Sequence, residues 1–420
     1  MKVFKFGGAS VKNAESLKNV VNIIQHYEDR LFIIVSAMDK TTNQLEEVVK
    51  TLLERNERSF ESSVRLVEEF HRGVVADLSL PSSKELIEEL KDLFDALRRR
   101  YNSPISAHFG FEYDQIVSLG EVLSSRILAS TLKSYNIDAE WLDARQLIRT
   151  DNHYKEANVD WSETILKLQN CIQGLPNKRI FISQGFIGHS SEGYTTTLGR
   201  EGSDYSAAIV AYALDADNVT IWKDVPGMLN ADPKYFANTQ LLSSISYKEA
   251  IELAYFGASV IHPKTVKPLQ NKNIPLLIKS FVNPLKEGTV IQQEQSADKL
   301  VPSFIVKKHQ ILVTLFANDF SFINEDALAK IFERFYSNAI KINLMQNSAL
   351  NFSTLLDADK VNMEALIELF KPEFSCRYNE NVELLTVRHY TQEILEELLE
   401  GRIILLEQRS RQTARFVLSK

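Results

Sequence analysis

The chain has 420 residues, of which 44% are apolar and 25% charged, and a formal net charge of −7. That length calls for two or three domains, and the composition excludes a disordered or fibrous protein. The acidic balance excludes a general nucleic-acid binder, which needs a basic excess to displace counterions from phosphates. Cys171 and Cys376, far apart in sequence, form neither a disulfide framework nor a zinc site, which fits a reducing compartment. No run reaches the roughly 18 apolar residues of a membrane span, and no signal-peptide pattern opens the chain, so the expectation is a cytoplasmic protein without membrane contact.

The first strand covers Val3–Phe6, Gly7-Gly8 interrupts it, and Ala14–Tyr27 places Leu17, Val20, Val21 and Ile24 at helical spacing. Leu31–Val35 is a continuous apolar run suited to a strand buried on both faces. Together these make a β-α-β unit of a parallel sheet. Residues 42–101 are dense in Leu, Glu, Lys and Arg with a break at Leu80-Pro81-Ser82-Ser83, and predict two or three helices forming a lid or side bundle. Alternation resumes with helix Glu121–Leu132, strands Ala139–Leu142 and Arg179–Ser183, helix Ser203–Leu214, strand Asn218–Trp222, helix Ser246–Tyr255 and strand Leu276–Ser280.

The polar run Gln292–Ser296 reads as a linker. Beyond it the pattern predicts strand Ile311–Phe316, helix Asp326–Tyr336, strands Ile340–Gln346 and Ala349–Leu356, and helix Met363–Phe370. A weaker echo follows in Val382–Val387, Gln392–Leu399, Ile403–Leu406 and Ala414–Leu418. Two successive β-α-β-β pieces imply a pair of small ferredoxin-like modules, the second lacking a full set of elements.

Three segments carry chemistry. Lys5-Phe6-Gly7-Gly8 ends a strand and leads into a helix, where glycines let backbone N–H groups approach phosphate oxygens and Lys5 adds an ammonium. A plain tight turn is the alternative, and the spacing is not that of a P-loop. Thr195–Tyr205 gathers hydroxyls, glycines, Arg200, Ser203 and Asp204 within eleven residues. Arg200 suits a bidentate grip on a carboxylate, while Asp204 suits either a ligand role or a helix cap. Trp222–Gly227 with Ala231-Asp232-Pro233 falls at a strand's C-terminal end, where open parallel sheets place ligands. There Asp232 reads equally as a nucleotide contact or a turn cap.

These segments resemble the aspartate kinases of the amino acid kinase family. The residues that carry the resemblance are Lys5–Val11, Val35-Ser36-Ala37 with Thr42-Asn43, Ser118-Leu119-Gly120-Glu121, Gln184–Gly188, Thr195–Tyr205, Trp222–Gly227 and Phe256-Gly257-Ala258 with Ile261-His262-Pro263. Seven motifs in this order span roughly residues 1–290. The resemblance implies an α/β fold, a three-layer, mostly parallel sheet flanked by helices over residues 1–292. It further implies ACT-like α+β modules at 300–375 and, in shortened form, 376–420.

It also implies an ATP-dependent kinase of free aspartate, with Mg²⁺ carried in on the nucleotide and no metal site of its own. Lys5, Gly7 and Gly8 would face the β- and γ-phosphates, and Asp204 would orient Lys5. Ser36 and Thr42 would contact the substrate side-chain carboxylate, Glu121 its ammonium and Arg200 its α-carboxylate. Ser203, Lys223, Asp224 and Asp232 lie where the family contacts the nucleotide. The C-terminal modules imply a homodimer.

The sequence departs from the family pattern at Ala9, in place of a threonine, and at Lys223, in place of a hydroxyl residue. Ser259 stands where many relatives carry a lysine that reaches the nucleotide, a charge that Lys223 would replace. Phe322–Ala327 lacks the glycine of the effector-binding turn, and Ile342-Asn343 replaces a pair ending in aspartate. Two other functions compete: kinase action on another amino acid, such as glutamate or an N-acetylated amino acid, and a non-catalytic amino-acid sensor; Glu121 as an ammonium partner disfavours the acetylated substrate, and the C-terminal modules favour aspartate.

Overall fold

Continuous apolar segments separated by glycine turns build an eight-stranded sheet, which a computed structural model describes for residues 1–106, 108–258, 260–298 and 301–419. The chain divides into two compact units: residues 1–229, 241–255 and 259–298, and residues 230–240, 256–258 and 299–420.

In the first unit β1 (Lys2–Phe6), α1 (Ala14–Gln25) and β2 (Leu31–Val35) form the expected β-α-β unit, β1 and β2 pairing in parallel. The charged stretch that follows is a side bundle of three helices, α2 (Thr41–Leu53), α3 (Glu57–Leu78) and α4 (Ser83–Tyr101). Leu45, Val48, Phe60, Val64, Leu90 and Phe94 bury one face of each in the main core, so the bundle is packed and not a loose cover. Next come α5 (Phe109–Val117), α6 (Leu119–Ser134), β3 (Ala139–Leu142), α7 (Ala144–Leu147), β4 (Arg149–Thr150), α8 (Trp161–Gln173), β5 (Ile180–Gln184), β6 (Ile187–Ser190) and β7 (Thr195–Thr197). The unit ends with α9 (Gly202–Ala213), β8 (Asn218–Lys223), β9 (Ser244–Ser246), α10 (Tyr247–Phe256), α11 (Pro263–Lys272), β10 (Leu276–Ser280) and β11 (Thr289–Gln292).

The sheet order is β3-β5-β2-β1-β8-β10-β11-β9, and all neighbours are parallel except β10 and β11. Order reverses between β1 and β8, the switch point at which open α/β sheets open a crevice beyond their strand ends. Phe4, Phe6 and Trp222 lock these two strands together, Phe6 stacking on Trp222 at 6.0 Å between ring centroids. A small second sheet, β4-β6-β7, stands apart. The expected linker begins as part of the fold: Gln292 pairs with Ser246 in β11–β9, and Asp298 accepts the Ser246 N–H at 2.6 Å.

The second unit holds β12 (Ser303–Ala317), α12 (Glu325–Ser337), β13 (Ile342–Asn347), β14 (Asn351–Asp357), α13 (Met363–Phe370), β15 (Phe374–Arg388), α14 (Gln392–Leu399), β16 (Ile403–Arg409) and β17 (Thr413–Ser419). They form one antiparallel sheet in the order β13-β14-β12-β15-β17-β16. The strand expected at Ile311–Phe316 begins eight residues earlier. Its early half, Ser303–Lys307, pairs with Leu384–Arg388, and its late half pairs with both β14 and the start of β15. A bulge between Lys307 and Leu312, with His309 in the left-handed region, separates the halves. The final β-strand-and-helix piece therefore gains the strand its own sequence lacks.

Among the described residues no helix is long and apolar enough to cross a membrane.

Candidate active site

The ends of β1, β2 and β8 and the starts of α2, α6 and α9 surround a cavity of 570 Å³ in the first unit. At its floor Lys5, nearly buried in β1, holds Asp204 Oδ1 at 2.6 Å, and Lys223 at the end of β8 stands 3.6 Å from Oδ2. Burial by itself would push the Asp204 carboxyl up, but the Lys5 and Lys223 charges outweigh it and hold the group below the usual carboxylate range. Two residues 199 positions apart in sequence thus face one cavity, as the family resemblance required. Lys223 also donates to the carbonyl of Val260. Ser259 lies outside the described residues.

Gly7 backs onto the Lys5 ammonium, 3.5 Å from where a Cβ would stand. At Gly8 a Cβ would lie 2.8 Å from the Ala37 carbonyl oxygen, so only glycine lets the turn after β1 press against the turn after β2. That contact is sealed by Ser36 N–H to Phe6 O at 3.1 Å and Asp39 N–H to Gly8 O at 3.2 Å. Ser203, in the first turn of α9, packs equally close to the end of β5, where a Cβ on Gly185 would meet its side chain at 2.5 Å.

Glu121 lines the same cavity. One carboxylate oxygen accepts the Ala37 N–H at 3.3 Å, and the other is buried with no hydrogen-bond partner among the described residues. Burial pushes its carboxyl up to about 8, against the weaker pull of the Ala37 N–H and the more distant Lys5 charge. A buried carboxylate without a counter-cation is a socket for one. Ser36 and Thr42 line the cavity beside it, and Arg200 projects from the loop between β7 and α9, largely exposed.

Sequence reasoning missed Tyr113 and Lys155, which line the cavity together with Asp39 and Glu156, and it missed Asp114, which does not line the cavity but holds Lys155 and Thr197. Asp114 is fully buried in α5 and accepts from Thr197 Oγ1 at 2.7 Å, Thr197 N–H at 2.9 Å and Lys155 N–H at 3.1 Å. Its partners lie 41 and 83 residues away, and nothing local in Phe111-Glu112-Tyr113-Asp114 announces them.

Asp224 and Asp232 do not line this cavity. Asp224 is exposed after β8, and Asp232 belongs to the second unit, where its carboxylate caps a turn by accepting Lys234 N–H at 2.9 Å. For Asp232 the turn-cap alternative is the one the geometry realises. His262 caps α11 through Lys264 N–H at 3.2 Å.

Known proteins place this geometry in context. The model of the amino acid kinase family matches residues 1–280. The bifunctional aspartokinase/homoserine dehydrogenase of Buchnera aphidicola is 30% identical over 388 residues, covering 89% of this chain and 46% of that protein. Lysine-sensitive aspartokinase 3 of Escherichia coli is 30% identical over 357 residues, 84% of this chain and 78% of that protein. Against the bifunctional and chloroplastic relatives the chain spans 32 to 68% of their length. The solved structure of E. coli aspartokinase III in complex with lysine and aspartate matches with a TM-score of 0.85 at 25% identity, covering 99% of this chain and 95% of that one.

Proposed function

Because the chain belongs to the amino acid kinase family, we propose that it is an aspartate kinase. It transfers the γ-phosphoryl group of ATP to the side-chain carboxylate of L-aspartate, giving 4-phospho-L-aspartate for lysine, threonine and methionine biosynthesis. The observation that carries this reading is the Lys5–Asp204 contact at 2.6 Å in a cavity that the uncompensated Glu121 also lines.

The chemistry follows from that arrangement. A carboxylate nucleophile, with an ordinary pKa of roughly 4, is already ionised at neutral pH and needs no general base. The difficulty is bringing an anion to a polyanion, so catalysis rests on positioning and charge stabilisation. Lys5, fixed by Asp204, neutralises charge on the transferring group, while Gly7 and Gly8 allow close backbone approach. Lys223 and Ser203 stand toward the nucleotide, and Mg²⁺ enters with its phosphates. Ser36 and Thr42 hold the attacking carboxylate, Glu121 takes the substrate ammonium, and Arg200 takes the α-carboxylate. Asp224 and Asp232, which do not line the cavity, take no part in this assignment.

A hydroxamate assay with ATP and a panel of amino acids tests the assignment. Turnover of aspartate alone is the expected result; turnover of a different acid, or of none, overturns it.

For the second unit the reading is a pair of ACT-like modules that join two copies of the chain. Exposed apolar side chains support it: Phe320, Phe322 and Tyr336 are 84, 70 and 88% exposed, and Ile403 and Ile404 lie on the edge strand β16. Light scattering on the purified chain should give twice the 47.9 kDa monomer mass. The cytoplasm is the proposed location, in keeping with the unpaired thiols of Cys171 and Cys376.

A further inference from the structure

Lys155 is a cation on the cavity lining to which the proposed roles assign nothing. It sits at φ +73°, in the left-handed region that a side chain enters only at a cost in strain. Asp114 accounts for its staying there, since both carboxylate oxygens stand 3.1 Å from the Lys155 N–H. The ammonium lies 4.8 Å from the ring centre of Tyr113 and 5.0 Å from that of Phe109. Two aromatic faces restrain it without neutralising it. Among the described residues no carboxylate forms an ion pair with it. The ammonium is therefore held on the cavity lining, near enough to the Asp114 carboxylate to feel its charge but without an ion-pair contact that would close it off from a ligand.

The identity of that ligand follows from its neighbours. Lys155 and Tyr113 line the same cavity as Glu121, the residue assigned to the substrate ammonium. An amino acid whose ammonium enters the Glu121 socket carries its α-carboxylate on the same carbon. Lys5 and Lys223 are already committed to Asp204, and Arg200 is exposed on a loop. Asp114 reaches that loop too, through Thr197, three residues before Arg200.

We propose that Lys155 is a specificity residue that grips the α-carboxylate of the amino-acid substrate together with Arg200, and that Asp114 is the positioning residue for both cations. This rests on the aspartate-kinase reading for the identity of the substrate, but its test reads binding and not turnover.

Calorimetry of aspartate binding to the full chain should show Lys155→Met and Lys155→Gly each weakening affinity about tenfold or more, the scale of one charge-assisted hydrogen bond. ATP affinity should stay within about twofold, and Lys155→Arg should recover most of the loss. Glycine is at ease at positive φ, so Lys155→Gly should melt no lower than the parent chain, which separates lost binding from lost structure. The α-amide of aspartate, which lacks the charge in question, should bind the parent and Lys155→Met equally. Unchanged aspartate affinity in both charge-removing variants overturns the proposal, as does an equal loss for the α-amide. A parent chain that binds aspartate but forms no acyl phosphate removes the kinase reading and leaves the Lys155 assignment standing; one that binds no aspartate removes both.

Discussion

Asp204 and Glu121 hold the same place in their helices, the third residue of α9 and of α6, and both are buried in the wall of one cavity. Helix dipoles favour a negative charge at both positions. Their fates nevertheless diverge, because Asp204 has two ammonium groups within 3.6 Å and Glu121 has only a backbone N–H. One carboxylate is held ionised and the other is pushed up to about 8. Neighbouring charge, and not depth of burial, decides which acid is structural and which waits for a ligand.

The strongest way to break this contrast is to remove the cation from the satisfied side. Lys5→Met should lower kcat by about a thousandfold, the scale of losing a donor aimed at developing charge. It should leave aspartate affinity nearly unchanged, as steady-state kinetics and calorimetry would show. A loss confined to aspartate KM would mean that the two ends of the cavity do not have separate duties.

Glu121→Gln sharpens the other side. Aspartate KM should rise about a hundredfold through loss of the ammonium partner. Folding raises the Glu121 pKa from 4.5 to about 8, so its contribution to stability is complete below about 4.5 and lost as pH climbs through about 8. Thermal melts should therefore show the parent losing ground to the glutamine variant as pH rises across that window. Substrate binding reverses the penalty: an arriving ammonium favours the carboxylate, so aspartate KM should fall as pH approaches 8, with proton release on binding. A flat KM profile over that range would place the ammonium elsewhere.

The smallest effect expected is that of Gly185→Ala. Its new methyl would stand 2.5 Å from Ser203 and shift the start of α9, lowering kcat about tenfold through Asp204 while the melting temperature drops by a few degrees. An unchanged kcat would show that α9 tolerates displacement.

The layered first unit was legible because apolar runs such as Leu31–Val35 and the turns at Gly7-Gly8 are local signals. Lys5, Glu121, Arg200 and Asp204 were legible through the family resemblance, and the coordinates supply what it could not, their distances. Asp114 and Lys155 escaped because a buried acid defined by partners 41 and 83 residues away leaves no periodic trace. The opening half of β12 escaped for the same reason, since the segment it pairs with, Leu384–Arg388, lies 77 to 85 residues downstream.

That long strand has a consequence for how the chain assembles. Ser303–Lys307 leaves the ribosome well before Leu384–Arg388, the segment against which it must lie, and β17 follows later still. Its late half can meanwhile settle with β14 as soon as residue 357 is made. The two ends of a single strand are thus committed at different times, and the earlier one stays open as an unpaired edge during synthesis. Nascent chains halted between residues 360 and 400 should therefore be the ones most prone to stick to one another.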